Sequence, residues 1–174
     1  MIALDLDGTL LDYAPEGPQP RVNGSVILSL LRVGAARTGV AICTNQGGLP
    51  WHVMGARRKD ERPYPSPEQF CLRLRAAVTA LSGVGIKVVA VRVSVFHPRA
   101  DEAAIQRAAR AVRTDLGRLM YVETKVYTTA RARKPQPLML HSVVATEYWG
   151  DSDEDGGAAQ AAGVPFVRVE RFLG

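Results

Sequence analysis

The chain has 174 residues, 47% of them hydrophobic, which allows one well-formed core over 1–174 and leaves no room for a second independent domain. Its formal charge of +5 and pI near 9.6 suit phosphorylated or otherwise anionic partners, although an arginine-rich composition can equally follow from genome base composition. No apolar run approaches the roughly 20 residues of a membrane span, and Met1 to Asp5 shows neither a basic leader nor a cleavage-type site, so the expectation is a soluble, cytoplasmic protein with no membrane partner.

In chain order, Met1 to Leu6 reads as a short buried strand ending in a turn at Gly8. An apolar helical pattern follows from Val22 to Val33, with Asn23 or Ser25 as its cap. Gly39 to Cys43 is a second buried strand, closed by Thr44-Asn45-Gln46-Gly47-Gly48, where the paired glycines mark a tight loop. Leu49 to Pro67 turns polar and proline-rich and carries Arg57, Arg58, Lys59 and Arg62, which predicts an exposed basic loop and at most a small lid. Glu68 to Ser82 is helical by spacing, Ile86 to Phe96 is a valine-rich strand, and Asp101 to Met120 is a long amphipathic helix with an acid at its N-terminus. Tyr121 to Thr128 reads as a further strand, Gln136 to Val143 as a short helix, Val144 to Trp149 as a strand, Asp153 to Ala162 as a helix, and Val164 to Val169 as the last strand. Strands alternating with helices imply an α/β fold: a Rossmann-like three-layer sandwich around a central parallel sheet.

Four segments carry chemistry. Asp5-Leu6-Asp7-Gly8-Thr9 places two carboxylates two residues apart at the carboxyl end of a strand, the edge at which open α/β sheets bind ligands. Thr44-Asn45 follows the second strand and offers a hydroxyl and backbone N–H groups suited to phosphate oxygens. Lys134 precedes a short helix and can neutralise phosphate charge, while Gly150-Asp151-Ser152-Asp153-Glu154-Asp155 sets acids at another strand end, oxygen ligands of the kind a hard cation takes. Cys43 and Cys71 have no CxxC spacing and no histidines at ligand intervals, so they read as core thiols, with neither a zinc site nor a disulfide framework.

In this order, each after a strand, the four segments resemble the motifs of the haloacid dehalogenase superfamily: DxDGT at Asp5 to Thr9, Thr44, Lys134, and GDxxxD at Gly150 to Asp155. Ala158 to Pro165 is similar to the family's AAxxAGxP ending. Asn45, Gln46, Gly48, Pro137 and Met139 resemble the branch that holds histidinol phosphatases, heptose-bisphosphate phosphatases and polynucleotide 3'-phosphatases. The heptose-type zinc loop is represented only by Phe96-His97-Pro98, and His97 is expected to cap its strand.

The resemblance implies a phosphoric monoester hydrolase in which Asp5 is the nucleophile and Asp7 the general acid and base. It implies Mg2+ held by Asp5, the Asp7 carbonyl, Asp151 and Asp155, phosphoryl oxygens held by Thr44 and the Asn45 amide, and Lys134 stabilising the transition state. Asp153 and Glu154 read as solvated acids at a helix start, and Trp149 as core packing. The intervals between the motifs leave little or no room for a cap domain. Substrate readings are a small phosphorylated metabolite or, as the alternative, a nucleic-acid 3'-phosphate end. In the latter, Arg57, Arg58, Lys59 and Arg62 would track a backbone and Trp51 or Tyr64 would stack a base. A reading of another class is a non-catalytic phosphate- or nucleic-acid-binding protein that keeps the fold.

Overall fold

The computed structural model describes residues 1–12, 20–119 and 121–172, with the side chains of 118 and 119 left aside. The described strands are β1 (Ile2–Leu4), β2 (Val40–Asn45), β3 (Val88–Ser94), β4 (Glu123–Tyr127), β5 (Glu147–Gly150) and β6 (Phe166–Arg168). They form one six-stranded sheet in the order β4-β3-β2-β1-β5-β6, with every pairing parallel. The helices are α1 (Gly24–Arg32), α2 (Ala35–Thr38), α3 (Gly48–Val53), α4 (Pro67–Gly83), α5 (Glu102–Leu119), α6 (Leu138–Ser142) and α7 (Asp153–Ala162). This is a Rossmann-like α/β fold with helices on both faces of the sheet. Among the described residues no second sheet covers its carboxyl edge.

Period-two alternation assigns the faces. Leu4, Val40, Ile42, Val91 and Val93 point into a core shared with Leu30 of α1, Phe70, Leu74 and Leu81 of α4, and Ile105 and Val112 of α5. The intervening Ala3, Ala41, Cys43 and Ala90 face the other way. Their small side chains leave room for Met139 and Leu140 of α6 and Ala158 and Ala159 of α7, and Tyr148 fills the remaining space. The two cysteines are buried and free, and burial pushes both thiols up to about 12, out of the reactive range. Trp149 is buried in the larger core.

The chain leaves β1 in one direction to build β2, β3 and β4, then crosses to the other side of β1 to lay down β5 and β6. The reversal of strand order lies between β1 and β5, and a crevice forms at the carboxyl ends there.

Several expected bounds shift for physical reasons. The helix expected from Val22 to Val33 begins at Gly24, because the Asn23 side chain caps it by accepting from the Val26 N–H at 3.4 Å. Val22 instead bridges Leu11 in an antiparallel contact. The segment 49–67, expected as an exposed loop throughout, opens with α3, whose Leu49 and Pro50 are buried, and Arg57 and Pro63 then pair across a turn. Its Ser66 and Gln69 form a reciprocal cap that starts α4 at Pro67. Val144 takes a left-handed φ of 50°, so β5 starts only at Glu147. No helix among the described residues is long and apolar enough to cross a membrane.

Candidate active site

The carboxyl ends of β1, β2 and β5 and the segment after β4 bring the four motif segments to one crevice. Asp5 follows β1 and is held in register by its N–H donating to the Trp149 carbonyl at 2.9 Å. The chain then turns at Gly8, whose φ of 83° is the left-handed conformation that glycine adopts freely. Thr44 is buried at the end of β2, and Asp151 follows β5. A cavity of about 370 Å³ is lined by Asp5, Asp7, Thr44, Asn45, Lys134 and Asp151, together with an outer wall described below.

Lys134 is the hub. Its buried ammonium donates to Asp5 Oδ1 at 2.5 Å, to Asp155 Oδ1 at 2.6 Å and to the Tyr148 hydroxyl at 3.0 Å. Burial alone would lower its pKa, but Asp5 and Asp155 together outweigh that and hold the ammonium above its ordinary range. Asp155 is lowered despite its own burial, because Lys134, Ser152 and Tyr148 all donate to it. Asp5 goes the other way: burial raises its pKa to about 7, with Asp155 and Asp7 adding repulsion that Lys134 only partly offsets. The crevice is short of positive charge.

A divalent cation would supply that charge. Asp5, Asp151 and Asp155 are all buried and each offers a carboxylate oxygen, the three atoms lying within 4.8 Å of one another. An all-oxygen set of this kind fits a hard cation. Within the set the roles differ. Asp155 has both oxygens engaged by protein donors, Lys134 and Tyr148 on one and Ser152 on the other, whereas Asp151 is engaged at Oδ2 by Arg171 at 2.7 Å.

Asp7 is gripped at both oxygens. Arg73 of α4 donates to Oδ1 at 2.9 Å and Gln46 donates to Oδ2 at 2.7 Å, while Gln46 also reaches the Thr44 hydroxyl at 3.0 Å. A second bond from Arg73 to the Asp12 carbonyl at 2.7 Å fixes the guanidinium. The side chain of Asn45 accepts from the Lys134 N–H at 3.0 Å and donates to the Lys134 carbonyl at 3.3 Å, tying the second motif to the third.

Among the remaining expected residues, Arg58 lines the cavity, whereas Arg57 is exposed and donates to the Glu61 carbonyl. Asp153 is exposed and pairs with Arg168, but Glu154 accepts from Asn45 at 3.1 Å, lies 3.7 Å from Arg133 and lines the cavity. His97 does not cap its strand: its Nδ1 accepts from the Arg99 N–H at 3.2 Å in the turn that follows, and its ring faces the cavity.

Arg73, Arg171, Arg133 and Tyr148 are additions that motif reading alone does not single out. Arg73 leaves a trace, since it stands in helical register with buried Phe70 and Ala77, a charge on the apolar face of α4. Arg171 leaves none, because its approach depends on the C-terminal strand closing over the site, with the Val169 N–H donating to Gly150 and the Phe172 N–H to Gly8.

No family model matches the chain, and no curated protein matches its sequence. Among solved structures, a candidate HAD-like phosphatase from Mesorhizobium loti superposes with a TM-score of 0.60 over 94% of this chain and 68% of its own, at 18% identity. The chain thus has the haloacid-dehalogenase-like fold, with the four motif segments gathered at the carboxyl edge of its sheet.

Proposed function

We propose that the protein is a Mg2+-dependent phosphomonoester hydrolase that acts on a small phosphorylated metabolite through an aspartyl-phosphate on Asp5. The observation that carries this reading is the convergence of Asp5, Asp7, Thr44, Lys134 and Asp151, one or two from each of the four motif segments, on one cavity. In the first step an Asp5 carboxylate oxygen bonds to phosphorus as the ester P–O bond breaks, and Asp7 gives its proton to the departing alkoxide. In the second, Asp7 takes a proton from water as the water oxygen bonds to phosphorus and the Asp5–phosphorus bond breaks, releasing inorganic phosphate.

Thr44 and the Asn45 amide hold the phosphoryl oxygens, and Lys134 opposes the charge gathering on them. Bound Mg2+ would be held by Asp5, the Asp7 carbonyl and Asp151, with Asp155 bracing Lys134 behind them, and would supply Lewis-acid charge neutralisation. Arg73 and Gln46 aim the Asp7 carboxyl.

A small substrate is favoured over a nucleic-acid end by the charge of the basic loop. Asp60 sits 4.0 Å from Arg58 and 3.8 Å from Arg62, so the loop is partly neutralised from within. Rapid acid quench of the enzyme with Mg2+ and substrate, followed by mass spectrometry of the Asp5 peptide, tests the mechanism. An added phosphoryl group that hydroxylamine removes is the expected result, and turnover without any such adduct would point to direct attack by water.

A further inference from the structure

The outer wall of the cavity is aromatic. Trp51 of α3 stacks on Tyr64 with ring centroids 6.3 Å apart and planes 24° from parallel, and the edge of His97 meets Trp51 at 5.2 Å. All three rings are partly exposed and line the same cavity as Asp5 and Thr44. The wall is pressed against the segment that follows Thr44. A methyl group added at Gly48 would lie 3.1 Å from the Tyr64 ring, and one at Gly47 would lie 3.3 Å from His97 and 2.8 Å from the Arg133 guanidinium. Rings and phosphoryl-binding loop are therefore immediate neighbours, separated by no intervening side chain at these two positions.

Rings arranged in this way have a structural use, since they hold α3 against the turn before α4. That use does not require them to face the cavity, nor does it account for two arginines beside them. Arg58 and Arg133 line the same cavity, and Arg133 is anchored by the Phe96 carbonyl at 3.4 Å and by Glu154. Burial and the nearby Arg133 and Arg99 lower the His97 pKa, which keeps that ring uncharged near neutral pH. A wall of rings beside the phosphoryl-binding loop offers π-faces on which a planar ring can stack.

We propose that Trp51, Tyr64 and His97 form a leaving-group subsite that binds the planar ring of a low-molecular-weight phosphate monoester. This rests on the reading of the site as one for phosphate monoesters. The cavity volume, near the lower end of ligand pockets, accommodates one ring beside the phosphate.

Equilibrium binding to the Asp5→Asn protein with Mg2+ tests the subsite apart from turnover. The probes are a nucleoside monophosphate, glycerol phosphate, phosphocholine and a short oligonucleotide bearing a 3'-phosphate. The chain has two tryptophans, of which Trp149 is buried in the core, so quenching of Trp51 fluorescence reports ring contact and calorimetry gives the affinities. The nucleoside monophosphate is expected to bind about tenfold more tightly than glycerol phosphate, the scale of one stacking contact, and more tightly than phosphocholine, which offers the rings a cation but no plane to stack. Trp51→Ala should abolish the preference, Trp51→Phe should restore most of it, and Tyr64→Ala should reduce it, which keeps the test valid if the first variant fails to fold.

Equal affinity for the nucleoside and glycerol esters would overturn the subsite even if the wild type releases phosphate from both. An oligonucleotide that binds much more tightly than the mononucleotide would overturn the low-molecular-weight part of the proposal. Conversely, a ring preference lost on Trp51→Ala, with no phosphate released by wild type from any probe, would leave the subsite standing and remove the hydrolase reading.

Discussion

Asp7 shows how much of the proposed chemistry depends on one side chain that no motif contains. A general acid must meet its leaving oxygen in a single orientation, and Arg73, held in turn by the Asp12 carbonyl, fixes that orientation here. Replacing Arg73 with alanine is expected to lower kcat by roughly tenfold to a hundredfold, a part of what acid–base catalysis supplies because the acid itself remains, with KM little changed. The loss should be smaller for a nitrophenyl ester, whose leaving group needs no proton; an equal loss for both esters would assign Arg73 a merely structural role. Asp5 makes the second residue-scale prediction. Its pKa is raised from the ordinary carboxylate range to about 7, so the folded metal-free protein binds a proton that the unfolded chain has released, and stability falls as pH rises from about 4 through 7. The Asp5→Asn protein lacks this term. Thermal denaturation of the two proteins without metal should show the variant gaining on the wild type across that window and melting several degrees higher at pH 8. Added Mg2+ should narrow the gap by stabilising the wild type, and a gap that does not vary with pH would contradict a buried carboxyl that Lys134 compensates only in part.

The elements hold these residues through close backbone approaches. Gly150, the last residue of β5, has Asp155 of α7 packed directly on it, so that a Cβ there would meet the Asp155 Cβ at 2.5 Å. Gly150→Ala is therefore expected to displace the start of α7, destabilise the protein by about 1–3 kcal/mol as over-packing does, and weaken Mg2+ binding through Asp151 and Asp155 together. Chemical denaturation and metal titration by calorimetry check both parts. The glycine of the fourth motif was legible as a residue type in the sequence, but its reason was not, because the contact joins a strand end to a helix that folds back over it. Element existence was legible for the same reason that the sheet is stable: buried parallel strands and amphipathic helices have strong periodic patterns, and β4 was recoverable even from Tyr121 to Thr128. The bounds were less so. A single turn such as α3, with Trp51 and His52 among its residues and a proline at Pro50, has too few positions for a period to show, and its helical state is settled by the burial of Leu49 and the contact of Trp51 with Tyr64. The acids, Thr44 and Lys134 were readable because strand ends mark the functional edge of the fold. Arg73 and Arg171 reach that edge from distant segments, and only the packing of α4 and the C-terminal strand brings them there.

At the scale of the whole molecule, the topology places the crevice where strand order reverses beside β1, and a chain with an acidic cluster at that crevice carries a net formal charge of +5. That contrast predicts association with anionic substrates that slows as salt is added, since long-range attraction is screened, while kcat at saturation, governed by the buried groups, stays nearly constant. A kcat that falls in parallel with kcat/KM as ionic strength rises would argue against a buried, screened centre. The most direct test of the account is magnesium-dependent phosphate release from a panel of sugar phosphates, histidinol phosphate, nucleotides and 3'-phosphorylated oligonucleotides, measured for the wild type against Asp5→Asn. The account predicts release that requires Mg2+, is selective for small esters and falls by at least about a thousandfold in the variant, as expected on loss of a covalent nucleophile; a folded, Mg2+-bound wild type that releases phosphate from no member of the panel, or an Asp5→Asn protein as active as the wild type, would contradict it.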